Sequence, residues 1–90
     1  MSEHQTIEKR WAAKGFSCGV WVDPPGQVWE GYVHDTDELV HVLEGRIELE
    51  VSGRAETLGP GREAFIPAGA VHSVRNVGGT TVRWLYGYKR

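Results

Sequence analysis

The sequence predicts an all-β domain, an antiparallel sandwich or barrel with one short helix at its N-terminal end. Three observations predict it. After Gly15 the chain becomes a series of brief runs rich in Val, Ile, Trp and Tyr, broken at close intervals by clusters of turn formers. The run "RIELEVS" alternates strictly, with Ile47, Leu49 and Val51 on one face and Arg46, Glu48 and Glu50 on the other, the period of a strand with one wet face. No run is followed by a helical pattern of crossover length, so neighbouring strands are joined by hairpins and longer returns.

The elements follow in chain order. In "TIEKRWAAKG", Thr6 supplies an N-cap, Ile7 and Trp11 lie four apart on one face, Ala12 and Ala13 favour helix, and Gly15 ends it; the helix is placed over 6–14. The remainder, 16–90, forms one barrel. Its first run, "GFSCGVWV", holds Cys18 as a small buried hydrophobe. Turns are then expected at "DPPG" (23–26), "HDTD" (34–37), "SG" (52–53), "GPG" (59–61), "PAGA" (67–70) and "VGG" (77–79). Gly45, Gly61 and Gly69 serve tight turns, because no glycine-rich loop here opens a helix.

Composition bounds the function. A chain of 90 residues has one core to build, and 40% hydrophobic residues with four Trp, three Tyr and two Phe are enough to build it. Ten Lys and Arg against twelve Asp and Glu leave a net charge of −2, and the basic residues are scattered, so nucleic acid is not an expected partner. Cys18 is the single cysteine, which excludes an internal disulfide and a cysteine-rich zinc site and suits a reducing, cytoplasmic setting. The polar start "MSEHQTIEKR" carries no apolar segment of signal-peptide length, and no run approaches the roughly 18 residues of a membrane helix.

The chemistry concentrates in "GYVHDTDELVHVLEG" (31–45). Tyr32 and His34 are two apart and point the same way, while Glu38, Val40 and Val42 form one face of the next strand. Far along the chain, His72 opens a strand whose same-face residues are His72, Val74 and Asn76. Two imidazoles and one carboxylate suit a mid-row divalent ion and leave positions open for water or substrate. Three such groups in an apolar interior cost several kcal/mol each unless paired or bound to a cation. His41 faces away from Glu38 and is expected on the outer sheet face or at a dimer contact, and Asp35 and Asp37 in the turn are expected to be solvated. Trp29, Trp84 and Tyr86 are core or interface aromatics, with Trp84 and Tyr86 sharing a face that can line a pocket mouth.

These residues carry a family resemblance. "GREAFIPAGAVHSVRN" resembles the second cupin motif, G(x)5PxG(x)2H(x)3N, at Gly61, Pro67, Gly69, His72 and Asn76. The first motif, G(x)5HxH(x)3–4E(x)6G, is met at Gly26, His34, Glu38 and Gly45, with Tyr32 standing where the first histidine of HxH is expected. The resemblance implies a small single-domain cupin: an antiparallel jelly-roll β-barrel, a homodimer, with a divalent transition metal (Fe, Mn, Ni or Zn) inside. By carry-over His34, Glu38 and His72 are its ligands. Tyr32 either coordinates through its phenolate or hydrogen-bonds a metal-bound group, and is assigned the second, catalytic role because an unperturbed phenol titrates near ~10.

Three functions share these residues: a metal-dependent small-molecule enzyme of the dioxygenase or isomerase kind, a small-ligand-binding module, and a metal-free structural dimer. Fold alone does not choose among them, since function resides in the site.

Overall fold

The computed structural model describes residues 2–90. Among these, helix α1 (Glu3–Ala13) precedes eight strands: β1 (Gly19–Asp23), β2 (Val28–Tyr32), β3 (Glu38–Glu44), β4 (Ile47–Val51), β5 (Arg54–Leu58), β6 (Glu63–Ile66), β7 (His72–Asn76) and β8 (Val82–Tyr88). They form two antiparallel sheets ordered β1-β8-β3-β6 and β2-β7-β4-β5. Each sheet interleaves strands from distant parts of the chain, the jelly-roll arrangement that the family resemblance implies. Every expected turn cluster falls between two strands.

The helix begins earlier than expected. Ser2, not Thr6, is the N-cap: its hydroxyl accepts from the Gln5 amide at 3.1 Å, and the Gln5 side chain accepts from the Ser2 amide at 3.2 Å. This reciprocal pair satisfies two orphan donors at once, whereas Thr6 has Lys9 three residues on and cannot close the same box. Thr6 instead lies within the first turn, its hydroxyl donating to the Ser2 carbonyl. Gly15 ends the helix as expected, its amide donating to the Ala12 carbonyl at 3.0 Å.

Burial explains why β3 looks so apolar. Its inward residues Val40 and Val42 meet Ile47, Leu49, Leu58, Ile66, Val74, Val82 and Trp84 between the sheets. Its outward residues Leu39 and Leu43 pack with Leu85 beneath Ile7 and Trp11 of α1, flanked by Phe16 and Cys18. A central strand covered on both faces reads as a continuous apolar run. Burying each such side chain contributes roughly 1.5–3 kcal/mol, so the helix closes a second core instead of decorating the first.

His41 has the predicted parity but not the predicted surroundings. It points away from Glu38, yet it is only 6% exposed, because α1 lies over it. Its Nδ1 is 2.9 Å from Glu63 Oε1 and its Nε2 is 3.3 Å from Glu3 Oε2. The Arg10 guanidinium donates to both oxygens of Glu63 at 2.8 and 3.0 Å, and the Trp11 indole donates to Glu63 Oε1 at 3.3 Å. The cluster ties the helix to β3 and β6.

Partial burial alone would raise the Glu63 carboxyl, but hydrogen bonds from Arg10 and His41, with the Arg10 charge and the Trp11 N–H, hold it down at about 2. A carboxyl whose folded-state value lies below its unfolded one contributes stability above the unfolded value, 4.5, and loses it as pH falls through about 2. Melting temperature is therefore expected to drop across that acid window, and Glu63→Gln to flatten the drop. Parallel acid melting curves for wild type and variant would contradict the assignment.

Candidate metal centre

Two loops and two strand starts build the site. Glu38 opens β3 and His72 opens β7, both facing inward, and His34 lies in the loop between β2 and β3. That loop is stapled to the turn before β7: the Gly69 amide donates to the His34 carbonyl and the Ala68 amide to Asp37 Oδ1, each at 2.8 Å. Asp37 is therefore a working part of the turn and not merely solvated. Its carboxylate joins the segments that carry His34 and His72.

The three predicted donors converge. His34 Nε2 is 3.6 Å and His72 Nε2 is 3.5 Å from the same oxygen, Glu38 Oε1. One donor atom from each residue lies within 4.8 Å of the others. His72 Nδ1 donates to the Ala70 carbonyl at 3.1 Å, which fixes the ring and leaves its Nε2 as the lone-pair nitrogen facing Glu38. Burial, then the neighbouring His72, lower the His34 pKa against a smaller opposing pull from Asp35, so this imidazole favours the neutral, ligating form.

Glu38 carries the decisive observation. It is 4% exposed, and its Oε1 is buried with no hydrogen-bond partner. Burial alone pushes its carboxyl up to about 7. Buried carboxylate oxygens are ordinarily satisfied, and an orphan is costly. Donors about 2.1 Å from a common tetrahedral ion lie about 3.4 Å apart, so the separations of 3.5 and 3.6 Å need only a small inward movement. The donor set, the orphaned oxygen and the oriented His72 all fit a divalent transition metal.

A cavity of about 400 Å³ opens onto the triad. Apart from His34, Glu38, His72 and Val74, its lining is aromatic: Trp21, Trp29 and Trp84, with Tyr32, Tyr86 and Tyr88. A bulge in β2 brings two of these to one face. Trp29 pairs with Val74 and Tyr32 with His72, so three steps on β2 match two on β7. Gly31 takes the positive φ of 72° that the bulge requires. The parity of Tyr32 is thus reset relative to Trp29.

Tyr32 lines the cavity and is 43% exposed, at the rim. The phenol that touches the triad belongs to Tyr88, whose hydroxyl is 3.4 Å from His34 Nε2. Burial, then the nearby Glu38 and Tyr86, raise the Tyr88 pKa, keeping its O–H protonated. Sequence reasoning passed over Tyr88. The available signal was parity: Tyr88 shares a face with Trp84 and Tyr86, and its pairing with Glu38 sets it beside the ligands.

Residues 19–88 match the sequence model of Cupin_2, the cupin domain. A Streptomyces cyaneus protein described as polyketide synthase CurC is 33% identical over 76 residues, 83% of this chain and 49% of that protein. The chain thus spans about half the length of the curated relative it matches. The polyketide cyclase RemF of Streptomyces resistomycificus is 31% identical, with a TM-score of 0.72 over 81% of this chain and 53% of that one. The cupin domain of Schizosaccharomyces pombe Cnp3 superposes with a TM-score of 0.78 at 24% identity, covering 83% and 56% of the two chains, a likeness of fold.

Proposed function

Since the chain belongs to the cupin family, we propose that it binds a divalent transition metal through His34, Glu38 and His72 and is a metal-dependent enzyme acting on a flat, carbonyl-rich small molecule of the polyketide kind. The observation that carries the metal is the orphaned Glu38 Oε1 between two imidazole nitrogens. The aromatic lining supports the substrate class, as does similarity to a polyketide synthase and a polyketide cyclase.

When bound there, the ion supplies Lewis acidity to a substrate oxygen. The chain's own residues do the rest. His34, Glu38 and His72 hold the ion, and the Ala70 carbonyl keeps His72 aligned. The Tyr88 O–H, beside His34, donates a proton or hydrogen bond to a substrate oxygen at that end of the cavity. Tyr32 at the rim hydrogen-bonds a more distant substrate oxygen, the role left to it by its exposure. The aromatic walls stack on a planar substrate and exclude water. Ring closure of such a substrate joins a methylene carbon to a carbonyl carbon and releases the two methylene hydrogens with the carbonyl oxygen as water, so proton transfer suffices and no external oxidant is consumed.

The test is metal content after purification without a chelating tag. Wild type is expected to hold close to one equivalent of Fe, Mn, Ni or Zn, and His34→Ala and His72→Ala to lose it, with affinity falling at least about 100-fold. Variants that retain full metal would remove this site. Tyr88→Phe is expected to keep metal while lowering turnover, since it deletes only a hydroxyl.

A further inference from the structure

Behind the aromatic wall lies a buried acid that the chemistry above does not use. Asp23, the last residue of β1, is 3% exposed. Three indoles converge on its carboxylate from three strands. Trp21 donates to Oδ1 at 2.8 Å, Trp84 donates to Oδ2 at 3.1 Å, and Trp29 lies 3.2 Å from both oxygens. These are three of the cavity's six aromatic residues. The Asp23 backbone is itself held, its carbonyl accepting from the Asn76 side chain, which also bonds the Pro24 and Thr80 carbonyls.

We propose that Asp23 is the positioning residue of the cavity, fixing Trp21, Trp29 and Trp84 by their N–H edges so that they wall a slot for a planar, uncharged ligand. An indole N–H only donates and a carboxylate only accepts, so the three donors and two oxygens satisfy one another completely. With each N–H edge fastened behind the wall, ring orientation is set. Trp21 stands edge-to-face against Trp29 at 5.7 Å and 76°, and against Tyr86 at 6.0 Å and 78°; Trp84 meets Tyr86 at 6.1 Å. Among the described residues, no Lys or Arg lines the cavity, so its aromatic end carries no fixed positive charge. The aromatic faces reward stacking by a neutral ring system. Trp21 is 39% exposed, so packing alone does not hold it, and the bond to Asp23 does.

This inference deepens the proposed function and rests on the cavity being its substrate site, so the test is made on metal-free protein. The probe is 1,8-dihydroxyanthraquinone, followed by quenching of tryptophan fluorescence, with anthraquinone-2-sulfonate as its anionic counterpart. Wild type is expected to bind the neutral probe better than the sulfonate. Asp23→Asn is isosteric but presents N–H groups to an indole N–H. It is expected to weaken the neutral probe about tenfold while zinc affinity stays unchanged. In nitrogen–proton spectra the indole signals of Trp21, Trp29 and Trp84 should move, and that of Trp11, bonded to Glu63, should stay.

Unmoved indole signals, or moved signals with unchanged probe affinity, would overturn the inference. So would a wild type that takes zinc but not the probe, which leaves the metal centre standing. A wild type that takes the probe but no metal would instead sink the proposed function and spare the slot. Should Asp23→Asn fail to fold, benzothienylalanine in place of Trp21 keeps a bicyclic aromatic ring of the same shape and deletes only the N–H that Asp23 accepts. It is expected to weaken the probe roughly threefold, and no change would equally overturn the role of Asp23.

Discussion

Metal-free protein is expected to lose on the order of 10 °C in melting temperature between about pH 4.5 and pH 8, and added zinc or manganese to restore it. The cause is Glu38. Its folded-state value of about 7 lies above the ordinary 4.5, so the folded chain holds this proton more tightly than the unfolded chain does. The resulting stabilisation is complete below 4.5 and is lost as pH rises through about 7. At 1.36 kcal/mol per unit the shift corresponds to about 3 kcal/mol, which a side chain 5% exposed does not lose to solvent screening. A bound cation compensates the carboxylate and removes the slope. Glu38→Gln, neutral throughout, should melt almost independently of pH in this window and be the more stable apo protein at pH 8. If wild type and Glu38→Gln fall in parallel, the carboxyl is not the origin. The acid limb set by Glu63 has the opposite sign, so apo stability should peak near pH 4.5 and the two limbs can be removed separately.

The triad was legible because strand parity and motif spacing operate locally. Glu38 with Val40 and Val42, and His72 with Val74 and Asn76, keep a period of two, and the turns between strands carry their own residues. Parity likewise turned His41 away from the ligands. It could not show the helix that covers His41, because that contact depends on Glu63, twenty-two residues on, and on Arg10 and Glu3 before it. The Asp23 cluster was hidden for the same reason. "DPPG" announces a turn, and a residue read as turn chemistry also accepts bonds from Trp84, sixty-one positions away. Tyr88 reaches His34 only through the β3–β8 register, which the sequence does not specify. The bulge at Gly31 was invisible too, since a glycine in a strand permits a bulge without requiring one. Pattern identified the groups with a strong preference for one face; long-range pairing decided what they touch.

Trp11→Ala is expected to cost about 3–5 kcal/mol, a large part of the 5–15 kcal/mol that stabilises a typical domain. Trp11 has no exposed surface and closes the second core over Leu39, Leu43 and Leu85. Its ring lies so near β8 that Gly87 has room for no side chain: a Cβ there would sit 2.8 Å from Trp11 Cε3 and closer still to the Ser17 carbonyl. The indole N–H also donates to Glu63, so truncation removes a bond that ties the helix to β6. Denaturant midpoints read by circular dichroism should show the loss, with melting temperature falling by roughly 12–40 °C. Gly87→Ala should be comparably severe, since the same ring and a backbone carbonyl must yield. The metal donors lie on the opposite face of the sheet, where Glu38 pairs with Tyr88. Folded Trp11→Ala should therefore still take up metal, and metal should recover part of its stability by mass action. A Trp11→Ala protein melting within a few degrees of wild type would mean that the helix is an appendage and that the sandwich alone holds the site.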